Sequence, residues 1–309
     1  MGGFLDALGQ KLADRWFALL VLPGAVYLAA GVAAAVLGQA HALDPVLLAR
    51  QVNAWAKGPG TANTGDQILL LAALLVGAGA TGLFAQAIGR AVERLALAAD
   101  WRDWPRPLRT IANGRVTRRQ ERWKKANDEY QRLREQARQA RARGEQLDSA
   151  ERDRAYRTLI RVAESCPQRP TWSGDRIDAV SERLRSDLGV DTARIWPALW
   201  LIAPDTVRTE ITDARTELSA AATLVGWAVL YAPLAGWWWP AVFIAIALAV
   251  TGVRRIHSAA DTYALLTEAA VRLHVSDLAD QLHIAHSGPA DAETGTALNS
   301  QLGSGTTGS

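Results

Sequence analysis

Two runs of the sequence, Phe17 to Leu37 and Ile68 to Ile88, contain no Asp, Glu, Lys or Arg. A helix needs about 20 apolar residues at 1.5 Å each to cross roughly 30 Å of hydrocarbon. Only a helix satisfies every backbone polar group within one such segment. Both runs reach that length, so lipid is expected to be part of this chain's solvent, with a first span over residues 16–38 and a second over 67–89. Trp16 beside Arg15 is read as an interfacial anchor, and Pro23-Gly24 as a kink that a membrane helix tolerates. The first apolar run is expected to be retained, since no small-residue cleavage site follows it and position six lacks the Ser or Thr of a myristoylation signal.

A third apolar region, Leu218 to Val253, is too long for one span and barely long enough for two. Pro233, Gly236 and the run Trp237-Trp238-Trp239-Pro240 mark a turn near its middle, and indoles favour the headgroup boundary. A short hairpin over residues 218–253 is therefore expected, either spanning a thinned bilayer or re-entering it. Cytoplasmic flanks carry Lys and Arg. Lys11 and Arg15, then Arg90, Arg94, Arg102, Arg106 and Arg109, and finally Arg254 and Arg255 flank the spans on what is read as the inner side. Residues 39–66, with only Arg50 and Lys57 as cations, are read as the external loop. The expected fold is all-α, with about four transmembrane helices in two hairpins and a helical cytoplasmic insert over 90–217. Residues 1–15 form a cytoplasmic amphipathic N-terminus, 254–286 a cytoplasmic C-terminal helix, and the Gly-, Ser- and Thr-rich residues 287–309 a disordered tail.

Gly77-Ala78-Gly79-Ala80-Thr81-Gly82 fits the dinucleotide-binding string G-x-G-x-x-G, with Asp100 near the distance of a ribose-binding acid. The context is wrong. Residues 91–100 (AVERLALAAD) read as helix where a second strand is required. Small residues at this spacing let membrane helices approach closely, so Gly77, Gly79 and Gly82 are assigned to helix packing.

Between Arg102 and Arg143 the sequence has 14 Lys and Arg against 5 Asp and Glu. Basic residues beside an anionic leaflet contribute about 1 kcal/mol each before screening. Arg115, Arg118, Arg119, Arg122, Lys124 and Lys125 are therefore candidates for contact with anionic lipid or a partner, beside the blander role of solubilising a helix. Nucleic acid is disfavoured, since no recognised module accompanies the charge. Trp123, Ala126, Tyr130, Leu133, Ala137 and Ala140 recur in steps of three and four, as in a coiled-coil seam. Gly144 breaks that pattern, Asp148 and Glu151 have capping-box spacing, and Tyr156, Leu159, Ile160 and Ala163 form the stripe of a return helix. This places a helical hairpin over residues 115–164.

Thr171 or Ser173 can cap a helix running to Gly189, and Asp191 can open another that carries Trp196 and Trp200 and stops before Pro204. That second helix (191–203) is either interfacial, with both tryptophans in the headgroup plane, or an ordinary core helix. The string Pro170-Thr171-x-x-Gly174-Asp175-x-Ile177, then Leu188-Gly189-x-Asp191, Ile195-Trp196-Pro197-x-Leu199-Trp200 and Pro204, resembles a motif of uncharacterised bacterial multi-pass membrane proteins. The resemblance covers about a quarter of the chain. It implies a bacterial inner-membrane, multi-pass arrangement and brings no catalytic residue.

A last amphipathic helix is expected through Ala259, Tyr263, Leu266, Ala270 and Leu273, with a break at Ser276-Asp277. Cys166 is the only cysteine, which excludes an internal disulfide or a cysteine-based metal cage. His283, His286 and Asp280 have helical spacing but are read as solvated surface. No hydrolase, kinase or metalloprotease string is present, and no carboxylate, histidine or lysine lies inside the spans to relay ions. The chain is expected to have no catalytic residues, metal or cofactor. The reading is a non-catalytic scaffold or sensor, membrane-anchored with both termini cytoplasmic, whose partners are the bilayer, anionic lipids, and a second copy or another protein. An oligomeric pore or membrane-perturbing effector is the alternative.

Overall fold

The computed structural model describes residues 21–56, 64–98, 101–144, 149–286 and 288–303, within which the chain is helical and forms no strand. The helices are α1 (Leu22–Leu37), α2 (Pro45–Ala56), α3 (Thr64–Leu97), α4 (Arg106–Ala142), α5 (Ser149–Val162), α6 (Trp172–Leu188), α7 (Thr192–Ile202), α8 (Asp205–Leu234), α9 (Pro240–Gln281) and α10 (Ala292–Gly303), with one 3-10 turn at Trp101–Asp103. Three of them, α3, α8 and α9, are long and apolar enough to cross a membrane, and α1 is a shorter apolar helix. The N-terminal 1–15 segment, Trp16 and Asp148 lie outside the described residues. The chain divides into two units, Met1–Glu93 with Ser219–Arg254, and Arg94–Leu218 with Arg255–Ser309.

In the first unit helices meet through small residues, in mid-helix at Gly89, Gly226 and Gly252 and in the first turn of α1 at Gly24. Gly24 of α1 lies so close to α3 that a Cβ there would collide with the Ala78 carbonyl. A Cβ on Gly226 of α8 would stand 2.5 Å from the Ala85 oxygen, and one on Gly89 of α3 would stand 2.8 Å from Thr223 Cα. Gly252 of α9 faces Ala221 and Val225 in the same way. Such backbone approach is how helices gain packing where water supplies no drive. Aromatic side chains fill the remainder. Trp227 and Tyr231 are buried with Ala85, and Tyr27 meets Tyr231 edge-on at 5.2 Å while donating a hydrogen bond to the Leu230 carbonyl.

Many large apolar side chains of this unit point outward. Leu69, Val76, Phe84 and Phe243 are 60–72% exposed, a patch of the kind that marks a membrane or protein contact. Its turns are held by side chains. Asp44 Oδ1 accepts from the Val46 and Leu47 amides and so starts α2, a helix within the segment 39–66 read as the external loop. Gln39 donates from Nε2 to the Ala235 and Gly236 carbonyls and accepts from the Trp239 amide, while Trp238 Nε1 donates to Ala42 O. The α1–α2 turn and the α8–α9 turn are thus joined.

In the second unit the large side chains point inward. Val180 and Leu184 of α6, Ile195 and Leu199 of α7, Ile211 of α8, Val271, Val275 and Leu278 of α9, and Leu298 of α10 form one core. Helices α6 and α9 run parallel in a fixed register, because Arg176 pairs with Asp261, Arg183 with Glu268 and Asp187 with Arg272, each 85 residues apart. Two expectations fail here. Helix α9 continues through Ser276-Asp277 to Gln281, because Val275, Leu278 and Ala279 are all buried on one face. The tail expected to be disordered contains α10, started by Asp291, whose Oδ1 accepts from the Thr294 amide and hydroxyl. Gly295 lets α10 sit against the Leu188 carbonyl, and Asn299 bridges the α6–α7 junction by donating to Gly189 O and accepting from Asp191 N.

Candidate interaction surface

The motif strings of residues 170–204 build a joint. Thr171 accepts from the Gly174 amide to cap α6, and its hydroxyl donates to Ala96 O at the end of α3. Arg169 Nη1 donates to Leu97 O, and Gly174 must lack a side chain because a Cβ would stand 2.5 Å from that same oxygen. The otherwise unpaired last carbonyls of α3 thereby find donors. Gly189, at φ +64°, ends α6 in the left-handed conformation, and Asp191 caps α7.

Asp175 ties this joint to the basic hairpin. Its Oδ1 accepts from the Gln168 and Arg169 amides, and its buried Oδ2 lies 2.7 Å from Arg119 Nη1 of α4 without an aligned hydrogen bond. Burial pushes this carboxyl upward, against the opposing pull of Arg119 and the two amides, and the same burial lowers Arg119. Arg119 also donates to Arg169 O and Val162 O, and Gln120 and Trp123 donate to Pro167 O and Ala163 O. Arg115 reaches Pro170 O at 3.4 Å. Of these two candidates for lipid or partner contact, Arg119 grips the segment after α5, while Arg115 reaches it and stays exposed. A buried Asp175 gives the physical reason, since a buried carboxylate needs a cation and α4 supplies it.

Arg118, Arg122, Lys124 and Lys125 are exposed and have no partner among the described residues. The hairpin itself is antiparallel. Trp123, Ala126, Tyr130, Leu133, Ala137 and Ala140 are each half-buried or buried, and Tyr130 meets Tyr156 of α5 at 5.4 Å. Two hollows border it. One, of about 240 Å³, lies between α5 and α6 beside Trp172 and Asp175. The other, of about 480 Å³, lies near the hairpin tip and is lined by Tyr130, Arg134, Ala137, Arg138, Arg141, Arg152, Asp153 and Tyr156, so one carboxylate stands among its four arginines. Sequence reasoning missed this second hollow, although Arg134, Arg138 and Arg141 follow i, i+4, i+7 spacing on one face of α4.

Trp196 and Trp200 pack, half-buried, against the core of the second unit with rings 5.8 Å apart, and Ile195 and Leu199 beside them are fully enclosed. Trp237 and Trp239 are exposed at the α8–α9 turn, and Trp238 is held by Ala42. A Cβ on Gly77 would stand 3.4 Å from Leu28 Cδ1 of α1, and Gly79 and Gly82 are buried. His286 faces Asp280 at 3.1 Å. Among the described residues no group of three His, Cys, Asp or Glu side chains is placed to hold a metal ion.

By fold the chain is an all-helical protein with three helices long and apolar enough to cross a membrane. Comparison with known proteins goes no further: no family model, no curated protein and no solved structure matches it.

Proposed function

We propose that this is a multi-pass protein of the bacterial inner membrane that anchors a basic helical module at the inner leaflet, as a non-catalytic scaffold or sensor. The observation that carries the reading is the outward-facing apolar surface of the first unit, continued covalently by α3, α8 and α9 into a second unit with an exposed row of cations at Arg118, Arg122, Lys124 and Lys125. In this reading α1, α3 and the α8–α9 hairpin give four crossings, and the cations flanking them keep both termini inside. The exposed row then meets anionic headgroups, with about 1 kcal/mol available per residue near the surface.

Three measurements test it. Carbonate-washed membranes should retain the chain, and release into the supernatant would end the anchoring claim. A reporter fused after Asp100 should be active only in the cytoplasm, and external activity would reverse the topology. The chain held in discs of neutral lipid should capture anionic vesicles, and R118Q/R122Q/K124Q/K125Q should abolish capture. Equal capture by the variant would remove the lipid contact while leaving the anchor intact.

A further inference from the structure

The hollow at the tip of the α4–α5 hairpin differs from the rest of the basic surface in shape and in chemistry. The exposed row at Arg118 to Lys125 mixes Arg and Lys. At the tip every cation is arginine: Arg134, Arg138 and Arg141 line one wall from α4, and Arg152 of α5 faces them. Tyr130 and Tyr156, in contact at 5.4 Å, border the same space. Four guanidinium groups around about 480 Å³ repel one another unless countercharge is present.

The described residues supply little of that countercharge, although Asp153 is itself part of the lining. Glu135 stands 3.7 Å from Arg138, and Asp153 stands 3.6 Å from Arg152; both carboxylates are more than half exposed. Such long, solvated pairs contribute almost nothing. Arg134 and Arg141 have no ion-pair partner among the described residues. Set against Glu135 and Asp153, the four arginines leave an excess of two positive charges among the described residues of the hollow. Guanidinium presents a planar fork of N–H donors that matches phosphate oxygens two at a time, which ammonium cannot do. Tyrosine hydroxyls add neutral donors at the border.

We infer that the tip hollow, formed by Arg134, Arg138, Arg141 and Arg152 with Tyr130 and Tyr156, is a binding site for a ligand bearing clustered phosphate groups. Its volume suits more than one phosphate. The site depends on the hairpin alone and stands whether or not the module is held at a membrane. Its phosphates can come from a free soluble molecule or from a phosphorylated lipid headgroup.

The test uses the full chain in neutral-lipid discs, with inorganic tripolyphosphate as probe and calorimetry as readout. Wild-type protein should bind it, and R134Q/R138Q/R141Q should weaken binding by about tenfold or more, since several charge-assisted contacts go at once. R154Q/R157Q/R161Q removes the same charge from α5 outside the hollow and should change binding by only about twofold. Unchanged far-ultraviolet circular dichroism and melting of the tip variant exclude unfolding as the cause. No binding by the wild type, or equal weakening in the two variants, overturns the site. Vesicles of phosphatidylcholine with phosphatidic acid separate the sources. Capture that needs the tip arginines assigns the phosphates to a headgroup, and tripolyphosphate binding without such capture assigns them to a soluble ligand.

Discussion

The two units of this chain use opposite sides of their side chains. The largest fully buried side chains, among them Leu184, Ile195, Leu199, Leu218 and Leu298, all belong to the second unit. In the first unit Leu69, Leu70, Val76, Phe84 and Phe243 face outward, and the interior crossings are made by Gly24, Gly89, Gly226 and Gly252 against backbone. The second unit also needs glycines, at Gly174, Gly189 and Gly295, but at helix ends and joints. Water drives large apolar groups inward. Lipid does not, so close backbone contact and aromatic filling must hold helices together there. The difference between the two interiors is the one expected if lipid solvates the first unit, as proposed above.

The largest expected effect comes from breaking the glycine side of that comparison. Gly226→Leu places a branched side chain where a Cβ alone stands 2.5 Å from the Ala85 oxygen. Helices α3 and α8 must then separate, with the loss of the Trp227 and Tyr231 packing around Ala85. The detergent-solubilised variant should aggregate on size-exclusion chromatography instead of eluting with the wild type. Gly31→Leu, at a glycine with open space around it, should behave as wild type. If the two variants elute alike, close approach is not what holds the first unit.

Next in size is the charge buried in the second unit. Arg119→Ala strands Asp175 and frees the Arg169 and Val162 carbonyls, which should cost about 3 kcal/mol or more by denaturant melting of the second unit. Asp175→Asn keeps an acceptor for the Gln168 and Arg169 amides and removes a carboxylate that burial already disfavours. It should cost only about 1 kcal/mol. Equal losses would mean that the pair, and not the desolvated carboxylate, governs this joint.

These cases also mark what can be read from sequence. The long apolar helices α3, α8 and α9 follow from length and lack of charge, and the α4 seam from Trp123 to Ala140 follows from its spacing, because both are local patterns. Thr171 and Asp191 announce their helices through capping chemistry. Arg119 carries no such mark. It sits among Arg115, Arg118 and Arg122, and only the return of the chain at Pro167 to Asp175 makes it internal. Helix α10 was hidden for a different reason: Gly295, Thr294 and Ala292 fit against α6 by being small, so a binding segment has the composition of a disordered one. In α2, Asp44 is a visible cap, but Pro45 and the scattered apolar residues after it read as loop.

Asn299 tests whether that tail matters to the second unit. Asn299→Ala leaves the Asp191 amide and the Gly189 carbonyl without their side-chain partner. A loss of about 2 kcal/mol in the melting of the second unit is expected, with Ser300→Ala, whose hydroxyl only returns to Thr296 O on its own helix, close to neutral. A neutral Asn299→Ala would return α10 to the status of an ornament on the α6–α7 junction.

The smallest effect is a response to acid, and its sign separates two carboxylates of the same unit. The Arg183 hydrogen bond holds Glu268 below its ordinary value of 4.5, helped by Arg272, and the Arg272 hydrogen bond holds Asp187 below 3.8. A carboxylate lowered by folding adds stability that is complete above its unfolded value and is lost as pH falls through its folded one. The α6–α9 register should therefore weaken below about pH 4.5. Asp175 works in the other direction: raised by burial, it costs stability at neutral pH and is relieved as acid protonates it. Melting of the second unit between pH 6 and pH 3 should show a shallower acid loss in Glu268→Gln than in wild type, and a steeper one in Asp175→Asn. The first unit should not follow, because its Gly24–Ala78 and Gly226–Ala85 crossings contain no group that titrates. Parallel acid profiles for both units, followed by tryptophan fluorescence in single-tryptophan variants at Trp227 and Trp196, would remove the contrast on which the two-solvent reading of the interiors rests.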